Sequence, residues 1–529
     1  MVGVNNAAGD LHPEGTRQGP GSPSTGTGTV APPQMTDYLT TIGLEVHAQL
    51  LTRSKMFCGC SADVAYAAPN SHVCPVCLGM PGTLPVINVE AVRQTVRTGL
   101  ALNCTIPPFS KFDRKNYHYP DLMKGYQISQ YDLPLCVKGH LDVDVPDERG
   151  NRRYTRTVGI IRVHLEEDTA RLLHRTDRDG APYALMDVNR SGVPLMEIVS
   201  APDIHSPEEA QLYLMKLRHI LRWIGASTGN MEEGSFRVDA NVSVRPAGQA
   251  EFGAKVEVKN MNSFKSVRAA LEYEVARQTE ALRGGGRLVQ ETRHWVETRG
   301  VTIPSRTKEE ASDYRYFPEP DLPPLTFSEK GVEEIRASLP ELPDARRDRL
   351  VSQYGLTPYD ALQITSSRAM ADYFERAASE SGGGNERARI IAGFIVNDLV
   401  KLLGDAGIDI EESKVRPEHV RELAALVEEG TINRAIARGL LPDMFESGRA
   451  PGELVKERGL AVMRDESALE KAVDEAIAAN PKALADYLGG KENALMAFLG
   501  PVMKATRGQA DPNTVRELLK RKLDGMRET

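Results

Sequence analysis

No apolar run in this chain approaches the ~20 residues that a membrane-spanning helix needs, so a helical membrane protein is excluded. No G-x-x-x-x-G-K-[ST] stretch occurs, so any nucleotide chemistry must proceed without a P-loop. Positive charge is not in excess: 65 Lys and Arg face 73 Asp and Glu, a net charge of −8. No overall basic field draws in nucleic acid, and a nucleic-acid partner requires a local patch. Cysteine is scarce, at six in 529 residues. The N-terminus lacks the basic-then-apolar order of a secretory signal, so the chain is expected in the cytoplasm, where those thiols stay reduced. No internal repeat is visible.

What is present is uneven along the chain. Hydrophobic residues make up 41% and charged residues 26%, enough to bury a sizeable core, and the length suggests about three domains. Residues 1–36, with "QGPGSPSTGTGTVAPPQ", carry little to bury and are expected to be disordered. From Tyr38 to about Lys330 short alternating segments mix with Gly, Pro and a few helical patterns. One helix is expected at Ser206–Gly225, with Ser206 as N-cap and Pro207 in its first turn. Beyond Lys330 the pattern is helical. Ile391, Ile395, Leu399 and Leu402 keep helical spacing, as do Val420, Leu423 and Val427. "DESALEKAVDEAIAANP" opens at Asp465, an acceptable N-cap, and stops before Pro481. The whole reads as an α+β body followed by small helical modules.

The stretch "GLEVHAQL" alternates. Leu44, Val46, Ala48 and Leu50 face one way, and Glu45, His47 and Gln49 the other. "SFRVDANVSVRP" does the same, with Arg237, Asp239, Asn241, Ser243 and Arg245 on its polar face. "KVEVKN" sets Lys255, Glu257 and Lys259 opposite Val256 and Val258. "GIIRVHLEED" sets Arg162, His164 and Glu166 opposite Ile161, Val163 and Leu165, with Glu167 at the strand end, where a bulge can re-aim it. "PLMEIVS" carries Glu197 in an apolar run. Any one of these strands fits a sheet with one face in water. The set is different, because acids recur with Asn, His, Arg and Lys. Carboxylates bind hard cations such as Mg²⁺, and nearby cations neutralise phosphates. That constellation suits phosphoryl transfer.

"CGCSADVAYAAPNSHVCPVC" holds Cys58, Cys60, Cys74 and Cys77 in two close pairs. The spacing matches a closed, structural four-cysteine Zn²⁺ site, with buried or redox thiols as the alternative. His72 lies within the loop as a bystander. Cys104 and Cys136 lack such spacing and are expected in the core.

The motifs "IGLEVHAQL", "CPVCLGMPGTLPVIN", "SKFDRKNYHYPDLMKGYQISQYD", "RVHLEEDTARLLH", "DVNRSGVPLMEIVSAPDI", "MEEGSFRVDANVSVRP", "EVKNMNSF" and "DYRYFPEPDLPP" occur in this order. With them the chain resembles the GatB family, the B subunits of aspartyl/glutamyl-tRNA(Asn/Gln) amidotransferases, from about Tyr38 to the C-terminus. The resemblance implies a glutamine synthetase-like catalytic domain built on an antiparallel sheet, over residues 37–330. It implies an all-α domain over 331–450 and a YqeY-like, tRNA-binding tail over 451–529. It implies ATP- and Mg²⁺-dependent phosphorylation of the side-chain carboxylate of Glu-tRNA(Gln) or Asp-tRNA(Asn). Ammonia, tunnelled from an amidase subunit (GatA), then displaces the phosphate, and a small subunit (GatC) wraps the pair.

Carried over residue by residue, Glu45 and His47 would hold Mg²⁺, and Glu167 and Glu257 match further metal or ATP positions. Glu197 and Asp239 share that face. Arg237, Asn241 and Lys259 would contact phosphate or the activated carboxylate. Lys115 and Lys124 match polar residues of the ammonia tunnel, a surface role being their alternative. His164 is equally an interior histidine. In "DPNTVRELLKRKLDGMRE", Val515, Leu518, Leu519 and Leu523 form an apolar stripe, while Arg516, Lys520 and Arg521 lie away from it as candidate tRNA contacts. Two competing readings remain: a zinc-bearing tRNA scaffold without chemistry, and a small-molecule ligase. Acids on the sheet face argue against the first, and the long helical tail against the second.

Overall fold

The computed structural model describes residues 37–147, 152–305, 314–379, 384–461, 466–506, 509–510 and 512–527. The expected extension at 1–36 and the expected cap at Asp465 lie outside these residues. In chain order the strands begin with β1 (Tyr38–Gln49), β2 (Phe109–Ser110), β3 (Asp113–Asn116), β4 (Tyr126–Ser129) and β5 (Cys136–Pro146). Next come β6 (Arg152–Glu167), β7 (Arg171–Thr176), β8 (Pro182–Asp187), β9 (Pro194–Ser200) and β10 (Phe236–Pro246). The last are β11 (Val256–Met261), β12 (Glu291–Val296), β13 (Val301–Pro304), β14 (Phe317–Pro318) and β15 (Leu325–Thr326). Helices α1 (Val89–Ala101), α2 (Pro207–Trp223) and α3 (Phe264–Arg283) lie among them.

Eight strands form one sheet in the order β13-β12-β11-β10-β1-β9-β6-β5. The sheet was expected to be antiparallel, and its neighbours are so paired except for β11 and β12, which run parallel. The reason lies in the connection. A parallel pair needs a long crossover, and α3 supplies it between β11 and β12. The smaller pairings are β14-β3-β4, β15-β2 and β7-β8.

Alternation in sequence becomes alternation in burial. Ile42, Leu44, Val46 and Ala48 of β1 are buried, while Glu45, His47 and Gln49 are half-buried. Val238, Ala240 and Val242 of β10 repeat the pattern. This apolar face shares one core with Tyr213, Leu214 and Leu217 of α2 and with Val267, Ala270 and Leu271 of α3. Helix α2 starts where expected. The Ser206 hydroxyl accepts the Glu209 N–H at 3.1 Å, and Pro207 occupies the first turn, where its missing N–H costs nothing. The chain turns away at Gly225, whose φ of 70° suits glycine.

Behind the sheet the chain is helical from Glu329 to Arg458, interrupted by short connections. Ile391, Ile395 and Leu399 are buried as the spacing predicts, but Leu402 is only half-buried and Leu403 takes the core position. A π-turn at Ile395–Leu399 adds a residue to the helix and rotates the stripe by about one position. Val420 and Leu423 are buried, and Val427 packs at the margin. The main core extends to Leu454 and Val455. A second, smaller core is separate. It runs from Leu469 to Leu523 and gathers Phe498, Val502, Val515, Leu518 and Leu519. No helix among the described residues is long and apolar enough to cross a membrane.

Two cores predict two independent losses of structure. Leu519 is fully buried in the smaller one. Leu519→Ala should destabilise that unit by about 2–5 kcal/mol. In limited proteolysis, cleavage after residue 466 should accelerate while the fragment carrying the sheet persists.

Candidate functional site

Strand register lines up the polar residues of separate strands. His164 of β6 stands opposite Glu197 of β9, Glu197 opposite His47 of β1, and His47 opposite Arg237 of β10. The adjoining row holds Arg162, Val199, Glu45 and Asp239. A further row holds Gly43, Asn241, Glu257 and Thr292. One face of a six-strand stretch of sheet thus collects the groups scattered over the sequence.

At the centre His47 Nε2 lies 3.2 Å from Glu197 Oε2. His164 Nε2 lies 3.3 Å from Glu166 Oε1 and 3.5 Å from Glu197 Oε2. Ser129 Oγ donates to Glu166 Oε1 at 2.6 Å, Gln127 Nε2 donates to Oε2 at 3.2 Å, and Lys115 Nζ approaches to 3.8 Å. Burial by itself disfavours the ionised carboxylates, and the cations overturn it. Lys115 and His164 hold Glu166 well below the usual carboxylate range. The His164 and His47 imidazoles hold Glu197 down to about 2 against burial and the Glu166 charge. His47 is raised in turn: burial works against its charged form, but the hydrogen bond and charge of Glu197 outweigh that.

Glu166, not Glu167, joins this group. The bulge expected at the strand end lies earlier, where the register shifts between Ile160 and Arg162. Ile161 is consequently 49% exposed and Ile160 takes the core position beside Val163 and Leu165. Glu167 turns to the other side, 2.7 Å from Lys124 Nζ, and accepts the Ile128 N–H at 3.0 Å. The remaining expected residues sit nearby in pairs. Glu45 accepts from Asn241 Nδ2 at 2.8 Å. Lys259 Nζ bridges Asp239 at 2.6 Å and Glu257 at 3.0 Å. Of the five acids and imidazoles expected on Mg²⁺, the structure brings together His47 and Glu197. Glu45 and Glu257 lie in neighbouring rows, and Glu167 lies on the reverse side.

Asp168 and Arg190 escaped the sequence reading. Arg237 grips the buried Asp168 with two nitrogens at 3.0 and 3.2 Å, Gln49 Nε2 donates to it at 2.7 Å, and Arg190 lies 3.7 Å away. Asp168 is the third acid of "HLEED", one step past the strand, where alternation gives no direction. Beside this pair opens a cleft of about 840 Å³ bounded by Gln49, Arg171, Arg190, Arg237, Asp239 and Asn260. Lys115 is caged by Tyr314 and Tyr117, with ring centres 5.2 and 5.9 Å from its Nζ.

Two donor sets could hold metal. Ligand atoms of His47, Glu166 and Glu197 all lie within 4.8 Å of one another. Two carboxylates supply the oxygens Mg²⁺ requires and leave other positions for water or phosphate. The sulfurs of Cys58, Cys60, Cys74 and Cys77 are also mutually within 4.8 Å, a set positioned to hold a metal and compatible with structural zinc. The Cys74 N–H points at Cys77 Sγ, 3.1 Å away. The hydrogen bond from Cys58 draws the Cys77 thiol down to about 4 despite burial, with the Lys55 charge assisting, and the same bond pushes Cys58 up. Bound Zn²⁺ would ionise all four. The loop is tied to the sheet by Met56 N–H to Gly192 O, 2.6 Å, and by Ser191 Oγ to Cys77 O, 3.3 Å. His72 stays outside the cluster. Cys104 and Cys136 are buried core residues, as expected.

A mixed sheet with this charged face, backed by helices and followed by a helical region, defines the class. Residues 40–333 match the GatB/GatE catalytic domain and residues 372–523 the GatB domain. The chain belongs to the GatB family. It is 53% identical over 489 residues to the B subunit of the aspartyl/glutamyl-tRNA(Asn/Gln) amidotransferase of Carboxydothermus hydrogenoformans, covering 92% of this chain and 99% of that one. The protein of the same name from Thermomicrobium roseum is 56% identical over 487 residues, again 92% and 99% of the two chains. That of Dehalococcoides mccartyi is 52% identical over 496 residues, 93% and 100% of the two.

Each donor set can be tested separately. Saturating Mg²⁺ or Mn²⁺ at a hundred times its Kd should stabilise the wild type by about 2.7 kcal/mol, read as a rise in melting temperature. Glu166→Gln should abolish that rise, and Glu167→Gln should keep it. Cys74→Ser should lower bound zinc, measured by elemental analysis, to well under one per chain.

Proposed function

We propose that this chain is the amidating subunit of an aspartyl/glutamyl-tRNA(Asn/Gln) amidotransferase, an ATP-dependent ligase that forms a carbon–nitrogen bond. The observation that carries this reading is the His47–Glu166–Glu197 set, whose His47 stands opposite Arg237 on the next strand, Arg237 itself lining the large cleft. A carboxylate is a poor electrophile because its leaving group is oxide, and transfer of a phosphoryl group from ATP supplies a good one. Mg²⁺, held by His47, Glu166 and Glu197, would neutralise charge on the transferring phosphoryl. Arg237 and Lys259 are placed to meet phosphate or the activated carboxylate. Asp168 aims the first of them and Asp239 the second. Asn241, whose side-chain oxygen is buried without a partner among the described residues, positions Glu45.

Ammonia must arrive without water, which would hydrolyse the activated acyl group. Lys124 and Glu167 line a small pocket beside Cys77, and Lys115 touches Glu166. We assign Lys115, Lys124 and Glu167 to the route from a glutaminase partner, GatA, with GatC completing a cytoplasmic heterotrimer. The sheet with helices on one face and an open charged face on the other supports a glutamine synthetase-like catalytic domain over about 37–330. The helical segments to about 450 form a second domain. The smaller core beyond belongs to a YqeY-like tail that grips tRNA. Its last helix, Pro512–Arg527, leaves Arg516, Lys520 and Arg521 exposed.

The test is amidation by the chain co-expressed with its amidase and small subunits, using Glu-tRNA(Gln), ATP, Mg²⁺ and ammonium chloride, which bypasses the glutaminase. Gln-tRNA should form with ATP hydrolysis. His47→Ala should lower that rate by about a hundredfold or more with the complex and tRNA binding intact. tRNA binding without ATP use in the wild-type complex would instead favour a scaffold.

A further inference from the structure

Lys55 is fully buried, at 0% exposure, and its Nζ has no hydrogen-bond partner among the described residues. Lysine is almost never enclosed in this way unless its charge is paired. The acid in the adjoining pocket is not available to it, because Glu167 is taken by Lys124 and by the Ile128 N–H. What lies beside Lys55 is the four-cysteine loop. Its backbone N–H donates to Cys60 O at 2.9 Å. A Cβ placed on Gly192 would meet Lys55 Cδ at 3.6 Å and Cys77 Cβ at 3.8 Å, so the two side chains flank one glycine. Four thiolates around one Zn²⁺ leave a net negative centre in a half-buried loop. An excess of negative charge and a buried ammonium without a partner therefore sit side by side.

We propose that Lys55 is the built-in counter-charge of the four-cysteine zinc centre, supplying a positive charge beside its thiolates. The inference rests on the zinc reading of the cysteine cluster. Its structural consequence is a clamp. Lys55 follows β1 and Gly192 precedes β9, so the centre ties together the two strands that carry His47 and Glu197.

The test follows zinc release from the purified full chain to a chromogenic chelator. Lys55→Met should release zinc at least about tenfold faster than wild type, and Lys55→Arg should stay close to wild type. Charge is separated from packing by a double-mutant cycle with Cys74→His, which lowers the negative charge of the donor set by one. In that background the effect of Lys55→Met should shrink clearly. If Lys55→Met is insoluble, Lys55→Gln carries the same test. Unchanged release from zinc-loaded Lys55→Met, or the same acceleration in both backgrounds, overturns the inference alone. A wild-type chain that purifies without zinc overturns the zinc reading and the inference with it.

Discussion

The register of β1 between β9 and β10 is the constraint on which the rest depends. A slip of one residue would carry Ile42, Leu44 and Val46 off the core face and bury Glu45 and His47 there. Each of the three large apolar side chains is worth about 1.5–3 kcal/mol of burial, before any cost of enclosing charge is added. That preference holds His47 opposite both Glu197 and Arg237. Core packing on one face therefore sets the geometry of the charged groups on the other.

The charged face also satisfies itself. Glu166 and Glu197 are paired with His164, His47 and Lys115, Asp168 with Arg237, and Asp239 with Lys259. An acid left alone at such depth would take up a proton; Glu166, Glu197 and Asp168 are held ionised by their neighbours. A cation or phosphate bound there, as proposed, would exchange partners with groups already charged and aimed, which is electrostatic preorganisation. The proposed pairing of Lys55 with the four-cysteine loop would extend the same balance of charge to the strand ends.

Much of this was legible in the sequence. The period-two pattern placed Glu45, His47, Arg237, Asp239, Asn241, Glu257 and Lys259 on one face, because a strand offers a side chain only two directions. The cysteine spacing marked the four-sulfur cluster, since residues close in sequence are close in space. Ser206 and Pro207 marked the start of α2 through local capping chemistry. Where backbone irregularity intervened, the reading drifted. A bulge at Ile160–Arg162 and a π-turn at Ile395–Leu399 each add one residue, and no residue type announces either.

The sequence by itself determined which residues of β1 and β10 share a face, where α2 begins and which cysteines group, because these depend on neighbours a few positions apart. Only the tertiary structure decided that Glu166 rather than Glu167 meets His47, that Asp168 holds Arg237, and that β11 and β12 run parallel. It alone showed that Lys55 is sealed against the cysteine loop. Each of these depends on which distant segment the folded chain brings alongside, and the global packing that selects that segment leaves no local signature.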